Sequence, residues 1–225
     1  MPARPLWPLW RSLLRAWRSV VAPRMVYGLC GADGVRRLHS RISTHARLES
    51  PERLVLGDHV FIGHFNFIDA SGGLTLEDGV QVTNHVSVLT HSSHRSLRLE
   101  RESYWGHAAP AGLQREATHI GAWSFIGPHS VVAPGARIGR GVLVKAYSFV
   151  TGPVPDFAVV EGQPARVVGD TRELDRAWME RHAGGLNDAA RAAYEAWASE
   201  PQWSAGSGAP TSAPAAKDAQ AGPFA

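Results

Sequence analysis

The sequence predicts an all-β solenoid, with short parallel strands stacked coil upon coil and a helical segment at each end. Three observations predict it. Leu56, Ile62, Ile68, Leu74, Val80 and Val86 are spaced by six residues, and so are Ile120, Ile126, Val132, Ile138, Val144 and Val150. All twelve are Leu, Ile or Val, although these types make up only 44 of 225 residues. Glycine often follows the aliphatic residue (Gly57, Gly63, Gly121, Gly127, Gly139), and a small residue often stands two before it (Ser124, Ser130, Ala136, Ser148).

A period of six is not helical. Strand residues alternate faces, so an aliphatic at every sixth position always points the same way. A short strand with an inward anchor and a tight corner makes one side of a prism, and three sides make an eighteen-residue coil. Leu56 is then expected on Leu74, Ile62 on Val80, Ile120 on Ile138 and Ile126 on Val144, with coils about 4.8 Å apart. Small residues permit the cramped corners.

Four regions follow in order. Residues 1–33 are an N-terminal segment rich in Arg and Trp. Residues 34–169 carry the repeat, with a loop inserted at about 92–117. Residues 170–200 are rich in Ala, Glu and Arg and read as helical, with a break near Gly184-Gly185. Residues 201–225 are mostly Ala, Gly, Pro and Ser, cannot bury a core and are expected to be disordered. The helical ends are expected to cap the exposed coil edges.

Charge separates the N-terminal segment from the rest. Residues 1–24 hold Arg4, Arg11, Arg15, Arg18 and Arg24 and no acid, so the net charge of +3 leaves the remainder at −2. A basic nucleic-acid face on the main body is not expected. Read as a helix, the segment places Trp10, Leu13, Leu14 and Trp17 on one face and Arg11, Arg15 and Arg18 on another. Such a helix suits either packing on the chain's own body or a neighbour, or peripheral contact of residues 1–24 with an anionic membrane surface. No window approaches 18 uninterrupted apolar residues, and arginines interrupt any signal-peptide core. Cys30 is the single cysteine, which excludes an intrachain disulfide and fits a reducing cytoplasm. A cytoplasmic protein is expected, at the inner membrane face if the segment binds there.

Chemistry is expected where the repeat breaks. Between Val86 and Ile120 the aliphatic series lapses, and a long loop in a compact domain is usually functional or disordered. It begins Thr90-His91-Ser92-Ser93-His94-Arg95 and continues through Tyr104, Trp105 and His107. A rigid coil meeting a projecting arm suits a catalytic base.

These residues resemble the hexapeptide-repeat acyltransferases, in the branch of sugar, galactoside, maltose and polysaccharide O-acetyltransferases. The resemblance covers roughly residues 54–170. It rests on the repeats, on the loop with Thr90…His94-Arg95, and on the closing run from Val154 to Val168 with Gly162-Gln163-Pro164-Ala165-Arg166.

The resemblance implies left-handed winding, a homotrimer and acetyl-CoA in the groove between subunits. It further implies a loop histidine as general base toward an acceptor hydroxyl on a sugar or glycan. His94 matches the family's base best, because it follows the strand's Thr90 and precedes Arg95; His91 is the rival and His85 a third. The backbone around Ala146 and Ser148 would line the pantetheine arm, and Arg166 or Lys145 would meet the phosphates. Gly152-Pro153 stands where many relatives carry a lysine, so one usual phosphate contact is missing. Arg95, Tyr104 and Trp105 are the candidate acceptor contacts, with the aromatics either stacking on a sugar ring or anchoring the loop.

Other readings stay open. The acceptor could be an amine, as in amino-sugar N-acetyltransferases. The chain could be a non-catalytic scaffold. A zinc anhydrase of the γ type would need three converging imidazoles, for which His59, His64 and His85 are the candidates; no metal is expected in the acyltransferase.

Overall fold

The computed structural model describes residues 7–182 and 184–201, and the expected tail lies outside them except for Pro201. It consists mostly of short strands in three parallel sheets, with few helices. A helix, α1 (Trp7–Val21), leads into an antiparallel pair, Met25–Cys30 and Arg36–Ser43. From there the chain visits a first, a second and a third sheet in fixed order and then repeats that order.

The first sheet contains Arg36–Ser43, Phe61–Ile62, Gln81–Val82, Phe125–Ile126, Leu143–Val144 and Ala158–Gly162. The second contains Arg47–Glu49, Phe67–Asp69, Ser87–Val88, Val131–Val132 and Phe149–Val150. The third contains Leu54–Leu56, Leu74–Leu76, Thr118–Ile120, Arg137–Ile138 and Pro153–Val154. Strands from successive circuits pair in parallel. All twelve aliphatics of the six-residue series are buried and join one core cluster.

The register corrects part of the expected stacking. Ile120 lies on Ile138 and Ile126 on Val144, as an eighteen-residue circuit requires. Leu56, however, pairs with Leu76 and Ile62 with Val82, while Leu74 takes Leu54 as partner. The early circuits are therefore twenty residues long. The period-two alternation hides this: Leu74 and Leu76, and Val80 and Val82, all point inward. A six-residue frame meets a buried aliphatic in either register.

The length differences sit at one corner. From second sheet to third, the step between paired core positions is eight residues in the early circuits (Leu48 to Leu56, Ile68 to Leu76). It is six from Val132 to Ile138 and four from Val150 to Val154. The long loop leaves from the same corner, between Val88 and Ile120. The other two corners keep a step of six. Variable length is thus confined to the edge where the loop histidines sit.

The corner from first sheet to second is a ladder of rings. Phe65, His85, His129 and Tyr147 all have φ near +60°, and their rings lie within 5.0 Å, centroid to centroid, of the next. Side chains disfavour that backbone region, and stacking compensates part of the cost. At the end of the chain, Ala158–Gly162 pairs antiparallel with Ala165–Asp170. The remaining helices are α2 (His94–Glu100) in the loop, α3 (Thr171–Arg181) and α4 (Asp188–Ser199). Asp170 caps α3 by accepting from the Arg172 N–H. Trp197 of α4 packs edge-on against the buried Phe157 of the final circuit.

Candidate active site

The loop's first residues are fixed by the circuit beneath them. After Val88, Thr90 is fully buried and His91 is half-exposed. His91–Ser92 pairs antiparallel with Gln114–Arg115, closing the neck of the loop. Below lies the corner Asp69-Ala70-Ser71-Gly72-Gly73, which contains the two extra residues of the twenty-residue circuit.

Asp69 is the electrostatic centre of this corner. Its side chain is 0% exposed, yet every contact to it is a donor. Oδ1 accepts from the Ser71 N–H at 2.9 Å. Oδ2 accepts from the Thr90 N–H at 2.9 Å, the Thr90 hydroxyl at 2.8 Å and His91 Nδ1 at 2.7 Å. Burial alone would raise the carboxyl's pKa, but the hydrogen bonds from Ser71 and Thr90 outweigh it and hold Asp69 well below the usual carboxylate range. An ionised carboxylate can only accept, so Nδ1 of His91 carries the proton. Nε2 is left with a lone pair, as a general base requires.

The cleft beside His91 has a volume of about 370 Å³. Ser93, Tyr104, Trp105, His107 and Arg115 line it together with His91. Tyr104 and Trp105 meet edge to face at 5.7 Å. The loop is pinned by Glu100, which accepts from His107 Nδ1 at 2.7 Å and from the Ala111 N–H at 2.5 Å. These bonds, the Ala111 amide first, hold the Glu100 carboxyl below its ordinary range.

Gly72 permits the close approach of the two corner segments. A Cβ there would lie 2.4 Å from the Thr90 carbonyl oxygen and 3.0 Å from Thr90 Cβ. Gly72→Ala is therefore expected to displace Thr90 and His91 and to lower turnover at least about tenfold, since misplacement by about 1 Å can cost 10²-fold. Gly184→Ala, where a Cβ meets open space, serves as the control. Steady-state kinetics of the two variants make the comparison.

The other anticipated residues are distributed unevenly. His94 opens α2, is exposed and bonds through Nδ1 to the Ser92 hydroxyl at 2.9 Å; among the described residues no carboxylate bonds its ring. Arg95 does not line the cleft; its aliphatic stem packs over Gly112. His85 lies in the ring ladder at another corner. Lys145 and Ala146 are exposed at that same corner, and Lys145 Nζ pairs with Glu161 at 2.5 Å. Arg166 is exposed on the terminal hairpin. One chain thus does not gather these three around His91.

Ser148 is placed differently from the exposed Lys145 and Ala146 beside it. It is buried, its hydroxyl donates to the Lys145 carbonyl, its N–H donates to Ser130 Oγ, and its carbonyl accepts from Val131. Its small side chain is selected by the corner ladder.

The three histidines considered for zinc do not converge. His59 sits at the third-to-first corner, stacked on His39, whereas His64 bonds Ser43 and His85 lies in the ladder. Among the described residues, the one group of metal-ligand spacing is His39, Asp58 and His59. There the two imidazole planes are parallel within 2°. Lone pairs in parallel planes do not meet at one ion, and Asp58 is already engaged by His39, Ser40 and the His59 N–H.

Sequence reasoning singled out neither Asp69, Ser71 nor Arg115, and took His107 only as part of the loop. A twenty-residue circuit would have placed Asp69 beneath Leu89 and within reach of the loop start; the eighteen-residue frame did not.

No family profile matches the chain. Over 66 residues it is 35% identical to WbbJ of Escherichia coli K12, which is assigned by name to O-acetyl transfer in lipopolysaccharide biosynthesis; the match covers 29% of this chain and 34% of that protein. Over 50 residues it is 43% identical to the 2,3,4,5-tetrahydropyridine-2,6-dicarboxylate N-acetyltransferase of Staphylococcus aureus, covering 22% of this chain and 21% of that one. Its relatives are hexapeptide-repeat acetyltransferases. The chain spans about a third or less of the length of these acetyltransferases. Among solved structures, a galactoside acetyltransferase in complex with coenzyme A shares 25% identity at a TM-score of 0.49, covering 58% of this chain and 62% of that chain.

Proposed function

We propose that the chain is an acetyl-CoA-dependent O-acetyltransferase acting on a hydroxyl of a sugar or glycan, with His91 as general base. The single observation that carries this reading is the buried Asp69 carboxylate bonded to the half-exposed His91 of the cleft. In the transfer, His91 Nε2 takes the proton of the acceptor hydroxyl as its oxygen attacks the thioester carbon. The tetrahedral intermediate collapses, the C–S bond breaks, and the proton passes from His91 to the departing thiolate. An alcohol is a poor nucleophile until its proton is removed, and an imidazole titrates near the working pH.

His91 is preferred over His94 because a carboxylate fixes its tautomer. Tyr104 and Trp105 flank the cleft and suit the apolar faces of a sugar. Arg95, which lies outside the cleft, is assigned to bracing the loop. Left-handed winding of the three-sheet circuit completes the reading of the fold.

A homotrimer fits two further features. Lys145, Ala146 and Arg166 lie away from His91 within one chain, so acetyl-CoA contacts by these residues at the same site would come from a neighbouring copy. The exposed Phe65, Tyr147, Phe125 and Phe149 supply an apolar face for such a copy.

The test is a screen of sugars and glycan precursors for acceptor-dependent release of free thiol from acetyl-CoA. Release with a hydroxyl acceptor supports the reading. The Staphylococcus aureus relative favours a second reading, transfer to an amine, and amino sugars in the same screen distinguish it. Absence of thiol release across both sets, together with no thermal shift on adding acetyl-CoA, would leave a non-catalytic scaffold.

A further inference from the structure

The helix α1 exposes a face that the body of the protein does not cover. Trp10, Leu13 and Trp17 are 59%, 59% and 63% exposed, and Leu14 and Val21 are exposed as well. Arg11 and Arg15 are exposed on the same helix. A helix of fifteen residues is marginal in water without packing, so this face calls for an apolar boundary. No described helix is long and apolar enough to cross a membrane.

The adjoining hairpin continues the surface. The Arg24 N–H donates to Thr44 Oγ1, and the Thr44 N–H donates to the Arg24 carbonyl, which ties the helix's exit to the strand Arg36–Ser43. Only three residues separate Val21 from the strand Met25–Cys30, a reach of at most about 14 Å. On that hairpin Val26, Tyr27, Val35 and Leu38 are all exposed. Two neighbouring elements therefore present apolar side chains to solvent at the same end of the molecule.

Charge selects the occupant. Residues 1–24 carry five arginines and no acid, while the rest of the chain has a net charge of −2. A second copy of the segment would bring arginine against arginine. An anionic bilayer offers both an apolar layer for the tryptophans and phosphates for the guanidinium groups. We propose that α1 lies in the plane of an anionic phospholipid surface, with the exposed hairpin beside it. This is independent of the acyl-transfer reading.

The full chain is mixed with sedimentable phosphatidylcholine vesicles, with and without phosphatidylglycerol, and the bound fraction and tryptophan emission are measured. The expected result is binding to the anionic vesicles alone, with a blue shift, weakened by added salt. Arg11→Ser with Arg15→Ser is expected to weaken partitioning about 30-fold. Trp10→Ser with Trp17→Ser is expected to weaken it at least about tenfold. Circular dichroism in the far ultraviolet checks that both variants keep the wild-type β signal. Equal binding to neutral vesicles, or no binding, overturns the proposal. So does a change of sedimentation mass in the tryptophan variant without vesicles, which would assign the face to another copy.

Discussion

His91→Ala is expected to lower kcat/KM for acetyl transfer by roughly 10²–10⁴-fold, with acetyl-CoA affinity preserved. The effect is large because the variant removes the only imidazole in the described cleft that a buried carboxylate holds in one tautomer. His107, the other cleft histidine, has its Nδ1 on the loop carboxylate Glu100, whose side chain keeps 12% exposure where Asp69 has none. His94→Ala is expected to cost less than about threefold, because an exposed side chain bonded to a serine hydroxyl contributes little to a transition state. Initial rates of thiol release, with acetyl-CoA affinity from calorimetry, separate the two. If His94→Ala abolished turnover and His91→Ala did not, the roles would be exchanged and the Asp69 argument would fail.

Asp69→Asn is the second substitution with a large expected effect, and it acts twice. Asp69 accepts from two backbone N–H groups, a hydroxyl and an imidazole. An amide presents its own NH₂ to some of these donors in either orientation, leaving buried groups unsatisfied at a cost of about 3 kcal/mol. The melting temperature should fall by roughly 10 °C for a chain of this size. The amide can also donate to Nδ1, which moves the imidazole proton to Nε2 and removes the lone pair that acts as base. A wrong tautomer costs up to about 10⁴-fold in turnover. Asp69→Ala would destabilise comparably without forcing the tautomer, so a larger loss of turnover in the asparagine variant isolates that part.

The same carboxylate gives a pH signature. Asp69 is held below the value of an unfolded aspartate, about 3.9. Its contribution to stability is therefore present above that pH and is lost as pH falls below it. Thermal melts from pH 7 down to pH 3 should show a steeper loss in the wild type than in Asp69→Asn. Parallel curves would mean that Asp69 is not ionised in the folded protein.

Parts of this site were legible beforehand. The break in the repeat marked the loop, and the histidines within it were named from residue type and place. Tyr104 and Trp105 were read as alternatives, sugar contact or loop anchor, and both fall on the cleft wall. Asp69 was not legible, because an acid directly after a buried Ile68 is also an ordinary corner residue. Its meaning depends on what lies one circuit above it, and that depends on a circuit length the aliphatic series could not supply.

The sequence by itself determined the inward-facing residues, because a six-residue period combined with strand alternation fixes which side chains leave water. It also determined where regularity ends and where charge separates from the body. The tertiary structure decided the register, and with it which corner residues meet. An aliphatic core is tolerant of a two-residue slip, since Leu74 and Leu76 bury equally well. A carboxylate is not: removed from water, Asp69 requires donors at hydrogen-bond distance, and beyond the local Ser71 N–H only one alignment of successive circuits brings Thr90 and His91 there.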